Sequence, residues 1–121
     1  MPERSLVIKV TAGKDDPERC NQAFTVAGAA IASGVRVSLW LTGESAWFAL
    51  PGRAEDFSLP YAAPLAGLLA GVIAAGTVTV CTQCAARRDI TADGLISGIR
   101  IAGAATFVAE VLADGAQALV Y

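Results

Sequence analysis

Residues 57–86 contain no charged side chain, and the punctuation of that stretch decides what it can fold into. An unbroken apolar run of this length would read as a membrane span. Here Pro60 and Pro64 stand at its start and Gly76 interrupts it. Beyond the glycine, Thr77-Val-Thr-Val-Cys81 has the β-branched composition of a strand. The spacing predicts a short apolar helix over Leu65–Ala75 and a buried strand over Thr77–Cys81, with no membrane crossing. Gly67 and Gly71 on that helix are expected to allow a close helix–helix approach inside the fold.

The same alternation runs along the chain. Residues 5–11 form a nearly continuous apolar strand, as a central parallel strand would. The turn Ala-Gly-Lys-Asp-Asp follows, then a helix capped by Asp16 with Pro17 in its first position and Gly34 at its end. Cys20, Phe24, Ala27 and Ile31 share one face of that helix, so Cys20 reads as a small core residue. A second strand is predicted over residues 35–41, and a short helix carrying Trp47 and Phe48 after Thr42-Gly43-Glu44. The polar loop 51–56 is the expected mobile segment. A partly helical connection from Thr91, a fourth strand over 99–101, a last helix over 106–113 and a fifth strand over 117–121 complete the reading. Strands alternating with helices imply one domain over residues 1–121, built on a mainly parallel five-stranded sheet with helices on both faces.

Composition removes most chemistries. The chain has no histidine, so Ser-His-Asp and Cys-His catalysis are excluded. Zinc in a structural site needs four ligands, and three cysteines without histidine do not supply them; neither metal nor cofactor is expected. A formal net charge of −2 gives no footprint for nucleic acid. The single Gly13 of the first loop makes neither a phosphate loop nor a dinucleotide fingerprint. Three cysteines are too few for a disulfide scaffold, and the start Met-Pro-Glu-Arg-Ser does not read as a signal peptide. A cytoplasmic, reducing setting is the expectation.

What remains is sulfur. Cys81 and Cys84 form a CxxC pair at the carboxyl end of the third strand, where open parallel sheets gather functional groups, and Arg87 and Arg88 follow at once. Free amides at a helix start and nearby arginines favour a thiolate, while Asp89 opposes it. Such a thiolate can attack a disulfide or hold a sulfane sulfur as a persulfide. Cysteines at the end of a buried strand also serve as small core residues. Lys14, Trp47 and Phe48 are candidates for a nearby pocket, which leaves a non-enzymatic binding module as a rival reading. A CxxC thiol–disulfide oxidoreductase is another, although the motif follows the third strand and lacks the aromatic-Cys-Gly-Pro setting of thioredoxins.

The chain resembles the DsrE/DsrF-like family of small sulfur-relay proteins. The likeness rests on the opening strand with Thr11-Ala-Gly-Lys-Asp-Asp-Pro17, on Val35-Arg-Val-Ser-Leu-Trp-Leu41 leading into Gly43-Glu-Ser-Ala, and on Val80-Cys-Thr-Gln-Cys-Ala-Ala-Arg-Arg-Asp-Ile90. The closing segments Ile101-Ala-Gly-Ala-Ala and Gln117-Ala-Leu-Val-Tyr121 fit the family's last helix and strand. The resemblance implies a three-layer α/β/α sandwich that assembles into homotrimers or homohexamers. It also implies sulfur donor and acceptor proteins as partners and a persulfide carried on Cys81. Cys84 stands where many family members, but not the best-characterised carriers, have a second cysteine. Arg87 and Arg88 would then stabilise the persulfide anion.

Overall fold

The computed structural model describes residues 3–121. Its strands are β1 (Ser5–Val10), β2 (Arg36–Leu41), β3 (Thr77–Cys81), β4 (Ile99–Ala102) and β5 (Ala116–Val120). They form a single sheet in the order β4-β3-β2-β1-β5, and every neighbouring pair is parallel. The helices are α1 (Pro17–Ala32), α2 (Leu65–Ala75), α3 (Thr82–Arg87) and α4 (Ala104–Val111), with short 3₁₀ segments at Gly43–Ala49 and Ala92–Gly94.

Chain order and handedness explain the layers. From β1 to β4 the chain steps across the sheet in one direction, so right-handed crossovers put α1, α2 and α3 on one face. The return from β4 to β5, at the far edge, reverses direction and puts α4 on the other. Strand alternation agrees. Ile8, Val10, Val37, Leu39, Leu41, Val78 and Val80 join Phe24, Leu65, Leu69 and Val72 of α1 and α2 in the core. Each large side chain buried there contributes about 1.5–3 kcal/mol. The opposite face presents Lys9, Ser38, Trp40, Thr79 and Cys81, and α4, which covers it, has no buried residue of its own.

Asp16 caps α1, its carboxylate accepting the Arg19 amide, with Pro17 as the first helical residue. Gly34 follows the helix at φ +82°, a conformation that favours glycine. Gly76 is required by contact: a Cβ there would lie 2.5 Å from the Val37 carbonyl oxygen. The small-residue packing expected of Gly67 and Gly71 is not found, since a Cβ on either would meet nothing within 4 Å. The close approach of α1 to α2 uses Gly28 instead, where a Cβ would come 2.9 Å from Leu68 Cδ2.

One element boundary shifts. The last helix begins at Ala104, because Gly103 is extended and the chain turns helical directly after it, without a side-chain cap to announce the start. The segment after β3 is a six-residue helix. Residues 51–56 fold into successive turns that bury Ala54. Among the described residues no helix is long and apolar enough to cross a membrane.

Candidate functional site at the end of the third strand

Cys81 ends β3 and is the residue on which α3 begins. It pairs in register with Ala102 at the end of β4. Beyond this pair β3 leads into α3 on one face and β4 leads through Gly103 into α4 on the other. The chain therefore leaves these two neighbouring strand ends toward opposite faces, the kind of position at which open α/β sheets bind and react. Strand alternation places Cys81 on the α4 side with Thr79, half-buried.

The environment acidifies this thiol. Burial pushes the Cys81 pKa up, but backbone N–H groups of Cys84 and Gln83, the Cys84 thiol and the charge of Lys9 together hold it below the ordinary cysteine value. Lys9 reaches the site from β1, two strands away, with its ammonium 5.2 Å from the centre of the Phe107 ring on α4. Sequence reasoning missed it; strand alternation, which puts Lys9 on the face opposite Ile8 and Val10, is the one signal that could have found it.

Cys84 lies one helical turn on and is buried. Its Sγ accepts the Gly43 N–H at 3.2 Å, tying α3 to the start of the 3₁₀ segment. Glycine is needed there: φ is +52°, and a Cβ would sit 2.4 Å from the Thr11 carbonyl oxygen. Arg88 turns to the same side. Its guanidinium donates to Glu44 at 2.8 and 3.2 Å and to the Cys84 carbonyl at 3.1 Å. Arg87 is exposed and donates to Gln83. The charge acting on Cys81 thus comes from Lys9, while the two arginines are engaged elsewhere. Cys20 is fully buried in α1, and burial, with Asp15 adding its negative charge, pushes its thiol up to about 12.

Lys14, Glu44, Trp47, Phe48 and Arg53 line a cavity of about 200 Å³ on the core side of α3. Phe48 belongs to the core, edge-on to Phe24 and Phe57. Trp47 is half-buried, with the Arg53 guanidinium 4.6 Å and that of Arg88 6.0 Å from its ring centre. The three pocket candidates are therefore neighbours, and Arg53 joins them from the loop expected to be mobile.

On the opposite face Glu110 seats α4. Its carboxylate accepts Ser38 Oγ at 2.6 Å and Trp40 Nε1 at 3.0 Å, and pairs with Arg100, whose Nε donates to Thr79 at 2.7 Å. Burial raises the Glu110 pKa, but these donors outweigh it and hold the carboxyl below its usual range.

The sequence model of the DsrE/DsrF-like family matches residues 4–121. Among solved structures, the ychN protein of E. coli superposes with a TM-score of 0.80 at 19% identity, over 98% of this chain and 99% of that one. A protein of unknown function from Methanobacterium thermoautotrophicum gives 0.73 at 11% identity, over 98% and 100%. No curated protein matches.

Proposed function

The chain belongs to the DsrE/DsrF-like family, and from that premise we propose that it is a sulfur-relay protein carrying sulfane sulfur as a persulfide on Cys81. The observation that carries this reading is the Cys81 thiol itself: half-buried at the end of β3, where β3 and β4 lead to opposite faces, and acidified by two backbone amides, a neighbouring thiol and a lysine. In loading, the Cys81 thiolate attacks the outer sulfur of a donor persulfide. A new S–S bond forms at Cys81, and the donor leaves as its thiolate. In discharge, an acceptor thiolate attacks that outer sulfur and Cys81 leaves as thiolate. Cys84 provides a second exit: its thiolate attacks the Cys81 sulfur, closing a Cys81–Cys84 disulfide and expelling hydrosulfide. That branch needs a thiol reductant to reset, which fits a cytoplasmic compartment.

Partners follow from the same reading: donor and acceptor proteins, and further copies of this chain. With no residue of α4 buried, and with Val108, Leu112 and Val120 exposed, the α4–β5 side is the surface for assembly into a trimer or hexamer. Leu112→Asp should lower the mass measured by light scattering; an unchanged mass argues against that surface.

The test of the relay is intact-mass and peptide mass spectrometry after incubating reduced protein with a persulfide donor. One added sulfur on Cys81 should persist in Cys84→Ser and vanish in Cys81→Ser. No adduct in any form, with both thiols resistant to alkylation while folded, would overturn the proposal.

A further inference from the structure

Three cations meet around Trp47 where β1 and β2 run out, and only one carboxylate stands among them. Lys14 comes from the turn after β1, Arg53 from the turn after the 3₁₀ segment, and Arg88 from the end of α3. Arg88 is spent on Glu44, whose Oε2 takes both of its contacts. Lys14 and Arg53 have no carboxylate within ion-pair distance among the described residues. The acids next to Lys14 are otherwise engaged: Asp15 accepts the Gly13 N–H at 2.8 Å, and Asp16 caps α1 and pairs with Arg19. Two cations without a carboxylate partner thus line the cavity with Trp47, over whose ring Arg53 lies.

Glu44 sets the second requirement. Its Oε1 accepts no hydrogen bond from the described residues, while Oε2 is held by Arg88. An anion entering beside it meets a solvent-facing carboxylate oxygen. A fully deprotonated oxyanion is repelled there, whereas one that carries a hydroxyl can donate to it. The volume of about 200 Å³ lies below the roughly 300–1,000 Å³ of cofactor pockets, so the occupant is small.

We infer that this cavity binds a small oxyanion that bears its own hydroxyl, inorganic phosphate or a short hydroxycarboxylate, between Lys14 and Arg53 with the hydroxyl on Glu44 Oε1. The site lies across α3 from Cys81 and stands whether or not Cys81 carries sulfur. It also borders the thiol pair: Gly43, next to Glu44, bonds the Cys84 sulfur, and Arg88 bonds the Cys84 carbonyl.

The experiment is titration of the full chain with phosphate, glycolate, sulfate and acetate at matched ionic strength, followed by calorimetry and by tryptophan fluorescence. Phosphate or glycolate should give saturable binding at least about tenfold tighter than sulfate and acetate, and whichever of the two binds identifies the source chemistry. The double variant Lys14→Gln, Arg53→Gln should weaken it at least about tenfold. Both side chains are exposed, so the variant should fold, and Arg87→Gln is the control for surface charge. No saturable binding by phosphate or glycolate, equal binding of sulfate, or wild-type affinity in the double variant would each overturn the inference. The comparison among anions on the wild-type chain needs no variant.

Discussion

Replacing Glu110 tests what holds α4 on the sheet. The helix buries no residue completely, so apolar burial alone does not seat it; the Phe107 ring, edge-on to Trp40 at 5.3 Å, and the Glu110 carboxylate do so together. In Glu110→Ala the Ser38 hydroxyl can turn to solvent, and the partly exposed Arg100 pair is worth no more than about 1 kcal/mol. Trp40 cannot adjust: its residue is 2% exposed, and a buried indole N–H left without its acceptor costs about 1–3 kcal/mol. Counting the lost Ser38 bond at its net value once the hydroxyl is rehydrated, about 0.5–1.5 kcal/mol, the three terms centre on an expected loss of about 3–4 kcal/mol. Glu110→Gln keeps an acceptor for Trp40 and should lose about 1–2 kcal/mol. For 121 residues the unfolding entropy is about 0.25 kcal/mol/K, so the alanine variant should melt about 12–16 °C lower. Urea unfolding at fixed protein concentration, followed by circular dichroism and tryptophan fluorescence, measures both. The pH dependence fixes the sign independently. The folded-state pKa of Glu110 is depressed, so its stabilisation is fully present above the unfolded value near 4.3 and is lost as pH falls through the folded pKa. The gap between wild type and Glu110→Gln should therefore close in acid. An alanine variant within about 0.5 kcal/mol of wild type, or a gap that stays constant with pH, would refute the reasoning.

The thiols should differ sharply in alkylation rate: Cys81 fast at neutral pH, Cys20 unreactive until the chain unfolds. In a Cys20→Ala, Cys84→Ser background, Lys9→Met should move the pH–rate profile of Cys81 to higher pH while Lys9→Arg leaves it in place; identical profiles would remove Lys9 from the site. Gly67→Ala and Gly71→Ala should each stabilise the chain by about 0.5–1 kcal/mol, because exposed helical glycine is costly and a Cβ there meets nothing within 4 Å. Destabilisation in urea would show that this face packs against something.

What the sequence could disclose follows the range of the interactions involved. β3 and α2 were legible to the residue because a buried parallel strand is a continuous apolar run, and Gly76 separates the two at a point that backbone contact with Val37 requires. Alternating elements sufficed for the fold class. The order of the sheet did not follow from them, since nothing local says that β5 returns to the far edge beside β1. The start of α4 was missed by two residues because Gly103-Ala-Ala carries no capping side chain. At the site, the CxxC and its place at a strand end are local facts and could be read directly. The destination of Arg88 could not, because it depends on Glu44, forty-four residues earlier. Lys9 and Glu110 were hidden for the same reason: Lys9 acts on a cysteine two strands away, and Glu110 bonds side chains 70 and 72 residues distant. This division has a chemical consequence. The two thiols share α3, whose Cys84 and Gln83 amides and Cys84 thiol act on Cys81, yet each also has a contact of its own: Lys9 for Cys81 and the Gly43 N–H for Cys84. Substitution of Lys9 should therefore change the acidity of Cys81 directly, while substitution of Arg88, which donates to the Cys84 carbonyl, acts through Cys84. A Lys9→Met, Arg88→Gln double variant gives the test. Additive effects on the two alkylation rates would establish two separate controls, and strong coupling would mean that α3 transmits between them.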